Sequence, residues 1–498
     1  MALGLGTGTT LAAGVGAGDG CWGGAAPGWV TRNECPHLGQ RIFRPVGGTR
    51  RSSIWYGALH DSHSTLSIDP KTVPRARPTT RFAARFDTLD RMMDDGPYDA
   101  QLDARARALA TRCVHAGDRA DPSTRALDTP LVLSSAFGFA SAEEAAGAFQ
   151  GTHDAYIYGR WSNPTVEALE AKLAALEGTD EACATASGMA AASGAVLAVC
   201  AQGDHIVAPR SMYAESARLL RERLPRFGIE TTFVDAPDPG AYERALRPTT
   251  RVLYLESPAN PNLAITDIAA AVALARERGL VTIADNTFAT PFCQNPGSLG
   301  VDLVVHSMTK ALGGHGDAIG GCVCGPREQV ARVRDLVVKG LGGVLSPFAA
   351  FLVARGLRTF ALRQRAQCAS AATLASRLAA HPTVAVVHHP SLASHPGHAL
   401  ARRQMHAYGS LLSFELRASS HGIDAGRRVL EGVELLTHAV SLGDVRTLIV
   451  HPASTTHSTM PAEMRAAAHI GDGLLRISVG LESVDDLWLD LQRALETC

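Results

Sequence analysis

At 498 residues the chain is long enough for two or three domains around a large core. A net charge of −1 with 19 % charged residues excludes a basic nucleic-acid or membrane-surface binder. No run approaches the ~18 consecutive apolar residues of a membrane span. The ten cysteines are scattered, and Cys322 and Cys324 have no second pair at metal-ligand spacing. Free thiols in a reducing compartment are expected. None of the 19 histidines forms an HExxH-type pattern, so no metal is expected.

Residues 1–95 differ from the rest. Met1 to Gly28 is rich in Gly, Ala and Thr without helical or strand period, and the stretch to Arg85 is rich in Arg, Pro and Ser. Residues 1–86 hold ten Lys/Arg against four Asp/Glu. Such composition fits a transit peptide, a disordered tail, or translated sequence ahead of a start at Met92 or Met93. The segment is read as a disordered or mis-started extension without chemistry.

From Ala104 the pattern becomes globular. Arg105 to Cys113 reads as a short helix, and Thr129 to Phe139 as an extended segment. Ser141 caps an expected helix Ala142–Phe149, with Glu143 and Glu144 in its first turn. The loop Tyr156-Ile157-Tyr158-Gly159-Arg160 follows. Pro164, then Val166, Leu169, Leu173 and Leu176, predict an amphipathic helix closed by Gly178. Tyr158 and Arg160, two residues apart, suit a phosphate; a tyrosine packed on the helix start fits equally.

Thr185 to Ala191 is a small-residue turn opening a helix, where backbone N–H groups can bind phosphate and Gly188 permits close approach. Three strands are predicted at His205–Ala208, Thr231–Val234 and Arg251–Glu256, with a helix at Ser216–Arg226. Tyr213 lies just past the first of these strands, placed to stack on a flat cofactor. Ser257 to Asn262 is a rigid turn presenting Asn260. A helix Ile268–Arg278 ends at Gly279, and the apolar run Leu280 to Ala284 ends in Asp285. A further buried strand, Leu303 to Val305, leads into Ser307, Thr309, Lys310 and a glycine cluster. A lone lysine there would be read as solvated; Asp285 at this spacing reverses that reading. The lysine suits an aldehyde cofactor, the hydroxyls its phosphate, and the aspartate a protonated pyridinium nitrogen, which is the pattern of a pyridoxal phosphate site.

Strands alternating with helices predict an α/β fold with a mostly parallel, doubly wound sheet. Tyr213, Asn260, Asp285 and Lys310 all fall at carboxyl ends of its strands, where such sheets bind ligands. Helical sequence from Pro347 to Ala379 leads to a smaller C-terminal α+β domain with strands Val384–His388 and Leu411–Leu416. Loops follow at Ser441–Asp444 and His451–His457, then a strand over Leu474–Glu482. Arg476 among its apolar neighbours needs an anion: a substrate carboxylate or an internal salt bridge would serve.

From about residue 105 onward the chain resembles the Cys/Met-metabolism pyridoxal phosphate enzymes, which include cystathionine γ-synthase, cystathionine γ-lyase, methionine γ-lyase and the O-acylhomoserine sulfhydrylases. The resemblance rests on the ordered set YxR..NPT, SGMAA, SPANPN, ADNT, SxTK, SLG and RISVGLE. It implies an aspartate aminotransferase-like (fold type I) architecture: an arm over 96–160, a large cofactor-binding domain over 161–355 and a C-terminal domain over 356–498. It implies that Lys310 bonds the cofactor and shuttles protons, that Asp285 pairs with the ring nitrogen, and that Tyr213 stacks on the ring and assists departure of the γ-group. Gly188, Met189, Ser307 and Thr309 would hold the phosphate. Tyr158 and Arg160 would reach the phosphate of an adjoining subunit, which implies at least a homodimer and points to a homotetramer. Asn260, Ser441 and Arg476 would handle the ring hydroxyl and the substrate carboxylate. Relatives acting on cystathionine often carry glutamates where this chain has Ile157 and Val440. Apolar residues there suit a short thioether such as methionine, although Glu215 could supply a negative charge for cystathionine. The expectation is γ-elimination on methionine or homocysteine, with γ-replacement on O-acylhomoserine and cystathionine γ-lysis as alternatives and a non-catalytic scaffold as a remote one. No nucleic-acid or membrane partner is expected, and a cytoplasmic setting is the default expectation.

Overall fold

The central sheet of the computed structural model is built on period-two burial. In the strand Leu303–Ser307, Val304 packs into the core on one face and Val305 into that on the other, and Ala284 and Ile283 do the same on the neighbouring strand Val281–Asp285. Sheets covered on both faces require this. The structure describes residues 98–118, 120–238, 240–417, 422–458 and 460–496. The expectation for 1–95 lies outside them.

The seven strands of this sheet are β1 (Glu181–Thr185), β2 (His205–Pro209), β3 (Glu230–Val234), β4 (Thr250–Glu256), β5 (Val281–Asp285), β6 (Leu303–Ser307) and β7 (Gly321–Gly325). Their order is β1-β7-β6-β5-β4-β2-β3. All neighbours are parallel except that β7 runs antiparallel to both β6 and β1. The mostly parallel α/β sheet is as expected, but β1 and β7 are strands that the sequence reading did not single out. On one face lie α1 (Tyr98–His115), α3 (Pro164–Glu177) and the helix Ile268–Arg278, with Leu102, Leu169, Leu173 and Val272 in a shared core. On the other lies α4 (Gly188–Leu197), whose Ala191 and Ala195 meet Val305 and Val323. The helix α2 (Ala142–Gln150) is capped by Ser141, whose hydroxyl accepts from Glu144 N at 3.0 Å.

A second sheet, ordered β10-β11-β12-β9-β8, follows. Its strands are β8 (Val384–His388), β9 (Leu411–Leu416), β10 (Thr437–His438), β11 (Leu448–Val450) and β12 (Leu474–Ser478). Helices Phe360–Ala379 and Val484–Glu496 cover it through Leu374, Leu378, Leu487 and Leu491, packed on Phe414, Leu475 and Ile477. Among the described residues no helix is long and apolar enough to cross a membrane.

Two local expectations need correction. The helix expected over Ser216–Arg226 is an α-turn Ala214–Arg218, a widened π-turn Leu219–Arg223 and a 3-10 turn Leu224–Phe227. Pro225 has no N–H and crowds the preceding turn, so a regular helix cannot pass through it. The strand expected over Leu474–Glu482 stops at Ser478. Gly480 N donates to Thr447 Oγ1 at 2.8 Å, and the Glu482 carboxylate turns to accept from Thr447 N and Oγ1, both at 2.7 Å. The segment Thr129–Phe139 is extended as expected, with one isolated bridge, Ala136–Tyr158.

Candidate active site

Three adjacent parallel strands each deliver one side chain to a common place. The ends of β4, β5 and β6 carry Glu256, Asp285 and Ser307, and the turn after β6 carries Lys310. These residues, with Gly188, Met189, Tyr213, Glu215, Asn260, Thr309, Val440, Ser441 and Arg476, line one cavity of about 550 Å³.

One end of the cavity is a cradle for an anion. Ser187 caps α4 by accepting from Ala190 N at 3.1 Å, which leaves Gly188 and Met189 at the helix start, where backbone N–H groups are free to point outward. A Cβ on Gly188 would stand 2.7 Å from Ser307 Cβ. Only glycine lets the helix start approach Ser307 this closely. Thr309 Oγ1 is anchored by Gly320 N at 3.0 Å. Gly188→Ala is therefore expected to weaken retention of a phosphate-bearing cofactor by about tenfold or more, through displaced N–H donors. Equilibrium dialysis with pyridoxal phosphate checks this, and unchanged retention would contradict it.

The middle of the cavity holds the titrating groups. Lys310 Nζ donates to Ser441 Oγ at 2.8 Å. Burial, and then the charge of Arg476, hold the Lys310 amine below its ordinary value. Gly443, at φ 75°, lets the Ser441 loop close on the lysine, since a Cβ there would lie 2.3 Å from Ala311 N. Asp285 Oδ1 accepts from Thr287 N at 3.0 Å. Burial pushes the Asp285 carboxyl up, against Thr287 and His306. The His306 ring, 2.9 Å from Glu177 Oε2, is pulled down by burial, but the Glu177 carboxylate more than offsets this and keeps it above its usual range. Burial also raises the Tyr213 phenol, so it keeps its proton.

The far wall belongs to Arg476 on β12. Its Nη1 donates to Asn260 Oδ1 at 2.8 Å and its Nη2 to Ser441 O at 3.0 Å. Its Nε is buried without a partner. The guanidinium lies 5.8 Å from the Phe288 ring centroid. Among the described residues no carboxylate lies within ion-pair distance, so the internal salt bridge that the sequence allowed is not made. Burial lowers even this guanidinium to about 10, as expected for a cation held without an anion.

Ile157, Tyr158 and Arg160 are not among the residues lining this cavity. They sit on the loop before α3, where Tyr158 is 42 % exposed, Arg160 lies 5.6 Å over its ring, and the Arg160 guanidinium donates to Lys339 O. Sequence reasoning missed Glu256, Thr456 and His457. Glu256 was visible as the acidic end of the apolar run Val252–Leu255, in the position that Asp285 holds on the next strand. His457, buried and lowered to about 4 by burial and then by Arg476 and Arg465, bonds Thr456 Oγ1 at 2.9 Å through Nδ1. Only the doubled hydroxyls before it hinted at a role.

A lysine of depressed basicity, a half-buried aspartate and a glycine-floored helix start fit pyridoxal phosphate. Comparison with known proteins agrees. A family model described as Cys/Met metabolism PLP-dependent enzyme matches residues 110–496. An L-methionine gamma-lyase of Porphyromonas gingivalis is 42 % identical over 397 residues, covering 79 % of this chain and 98 % of the relative. An O-succinylhomoserine sulfhydrylase of Pseudomonas aeruginosa is 39 % identical over 402 residues, covering 81 % and 98 %. The crystal structure of a cystathionine gamma synthase from Xanthomonas oryzae pv. oryzae, in complex with aminoacrylate and cysteine, is 40 % identical with a TM-score of 0.73, covering 78 % and 97 %.

Proposed function

Because the chain belongs to the Cys/Met metabolism PLP-dependent enzymes, we propose that it catalyses γ-elimination on a sulfur amino acid, converting L-methionine or L-homocysteine to 2-oxobutanoate, ammonia and a thiol or sulfide. Pyridoxal phosphate, when bound, supplies the electron sink that makes the substrate's α- and β-hydrogens acidic. The chain supplies the rest. Lys310 would bond the cofactor's aldehyde carbon, and its neutral Nζ, when free, would take the substrate's α-proton and carry protons onward. Its depressed basicity favours that free-base form. Asp285 would pair with the ring nitrogen and keep it protonated. Tyr213 would stack on the ring, and its protonated phenol would donate to the departing γ-sulfur. Gly188 and Met189 offer backbone donors to the phosphate, joined by the Ser307 and Thr309 hydroxyls.

The observation that carries this reading is Arg476, a buried cation lining the same cavity as Lys310 with no anionic partner among the described residues. A substrate α-carboxylate supplies the partner, with Ser441 and Asn260 fixing the guanidinium and Asn260 also meeting the ring hydroxyl. Val440 makes the cavity's γ-side apolar, and Ile157, from a neighbouring subunit, would extend that wall. This favours a short thioether over a charged chain.

Glu215 favours a second reading. It lines the cavity, and its carboxylate is only loosely engaged, 3.9 Å from both Arg218 and Arg223. It is therefore available to a distal ammonium such as that of cystathionine. The alternatives are cystathionine γ-lysis, or γ-replacement on an O-acylhomoserine by a sulfhydrylase or a cystathionine γ-synthase. A non-catalytic scaffold is not favoured, since every catalytic position is filled.

We also propose that the arm over 96–160 serves a neighbouring subunit, with residues 161–355 holding the cofactor and 356–498 forming the smaller domain. Tyr158, exposed, and Arg160, half-buried, lie away from this chain's own cavity and would bind the neighbour's phosphate, giving at least a dimer and, in the full assembly, a tetramer. A cytoplasmic setting accords with the free thiols of all seven described cysteines. The test is release of 2-oxobutanoate and ammonia by the pyridoxal phosphate-loaded protein. Substrates are L-methionine, L-homocysteine, L-cystathionine and O-acetyl-L-homoserine, each with and without sulfide or cysteine. Thiol-independent turnover of methionine or homocysteine is expected. Turnover confined to the O-acyl ester and diverted by thiol would move the enzyme to γ-replacement.

A further inference from the structure

One buried carboxyl of the cavity has no part in the reaction as described. Glu256 ends β4, is 3 % exposed, and pairs in register with Asp285 at the end of β5. Neighbouring strands lie about 4.8 Å apart, and register partners point to the same face. The two carboxyls therefore stand side by side at the cavity floor. Glu256 is gripped from two sides: Tyr213 N donates to Oε2 and Asn260 N to Oε1, both at 2.9 Å. Among the described residues no ion pair reaches it. The titratable groups that face it are Asp285 on β5, Tyr242, Tyr254 on its own strand, and Tyr213. None is a cation.

We propose that Glu256 is a positioning residue of the cofactor site, which clamps the backbones of Tyr213 and Asn260 on either side of the cavity and carries a proton so that Asp285 alone presents negative charge to the cofactor's ring nitrogen. The inference rests on reading this cavity as a pyridoxal phosphate site. A buried carboxylate and a half-buried one on adjacent strands repel, and the more buried of the pair, Glu256, takes up the proton. Burial and the Asp285 charge push Glu256 up to about 8, against its two N–H donors. The anion settles on Asp285, which has Thr287 and His306 in its favour and a cationic ring nitrogen to meet. Through Asn260 the clamp also reaches Arg476, since the Asn260 side chain accepts from that guanidinium.

The test is infrared difference spectroscopy on the full chain with and without pyridoxal phosphate, comparing wild type with Glu256→Gln. A protonated-carboxyl band is expected in the wild type at pH 7, shifted in heavy water, lost above about pH 8 in the cofactor-free protein, and absent from the variant. Glutamine is neutral like the protonated acid but turns an N–H toward one of the two donors. Cofactor retention is therefore expected to fall about tenfold, and about 100-fold in Glu256→Ala, which leaves both donors without an acceptor. If the variants do not fold, the wild-type titration decides. Glu170→Gln then subtracts the buried carboxyl that Arg334 pairs at 2.9 Å. No band assignable to Glu256 at pH 7, or a glutamine variant that holds the cofactor as tightly as wild type, overturns the inference and leaves the cofactor site standing. Failure to bind pyridoxal phosphate at all overturns both.

Discussion

Lys310→Ala is expected to lower turnover of every substrate by about 10⁴-fold or more, while leaving the fold intact. The magnitude follows from the proposed role of Lys310, in which the covalent anchor and the acid–base group are one side chain. Among the described residues no other lysine can substitute. Lys172 is fully buried, donating to Cys113 O at 3.0 Å and Val114 O at 3.2 Å and lying 3.4 Å from Asp118. Lys339 sits 6.0 Å over the Trp161 ring. Neither lines the cavity. The structural cost of the change is small, because Lys310 Nζ makes a single hydrogen bond, to a hydroxyl. Lys310→Arg is expected to be as inactive as the alanine variant, since a guanidinium neither bonds the aldehyde nor gives up its proton near neutral pH. Activity within tenfold of wild type in either variant would show that another group does the chemistry.

The second large effect belongs to Arg476. Arg476→Leu is expected to reduce kcat/KM by about 10²- to 10³-fold, the loss typical when one partner of a buried, hydrogen-bonded charge pair is removed. Arg476→Lys recovers little of it, because a point charge does not replace a planar fork that already spans Asn260 Oδ1 and Ser441 O. Stability should respond differently. In the empty protein the guanidinium is buried, has no anionic partner among the described residues, and has one N–H without an acceptor. Replacing it by an apolar side chain trades two hydrogen bonds, worth about 1 kcal/mol each, for relief of that desolvation. The leucine variant is therefore expected to melt within a few degrees of wild type or above it. Steady-state kinetics and thermal melts together check the pair. A large fall in melting temperature with little change in kcat/KM would make Arg476 a structural residue.

Much of this site is legible in the sequence because parallel strands advertise their carboxyl ends. An apolar run that breaks into polar residues marks the place, and Asp285, Asn260, Tyr213 and Lys310 all follow such breaks. What was illegible had weaker local signals. The strands β1 and β7, EACAT and GCVCG, are built of small residues and cysteine with no alternation, so only pairing with β6 and with each other identifies them. The strands β10 and β11 span two and three residues, below any useful window. The break at Pro225 was visible but outweighed by the helical spacing around it. Charge states were out of reach for another reason: the depressed basicity of Lys310 and the raised carboxyl of Glu256 come from distances between strands, not from neighbours in the chain. That Arg476 has no anionic partner among the described residues is likewise a property of the fold around the cavity.

The central claim is that Lys310, in this cavity, is the residue that bonds pyridoxal phosphate. The chain holds four lysines, Lys71, Lys172, Lys310 and Lys339, so the question can be put directly. The loaded protein is reduced with borohydride, digested, and its pyridoxyl-bearing peptide identified by mass spectrometry. The label is expected on the peptide containing Lys310, and nowhere in Lys310→Ala. A label on Lys71, Lys172 or Lys339 in the wild type, or none on Lys310, would contradict the account.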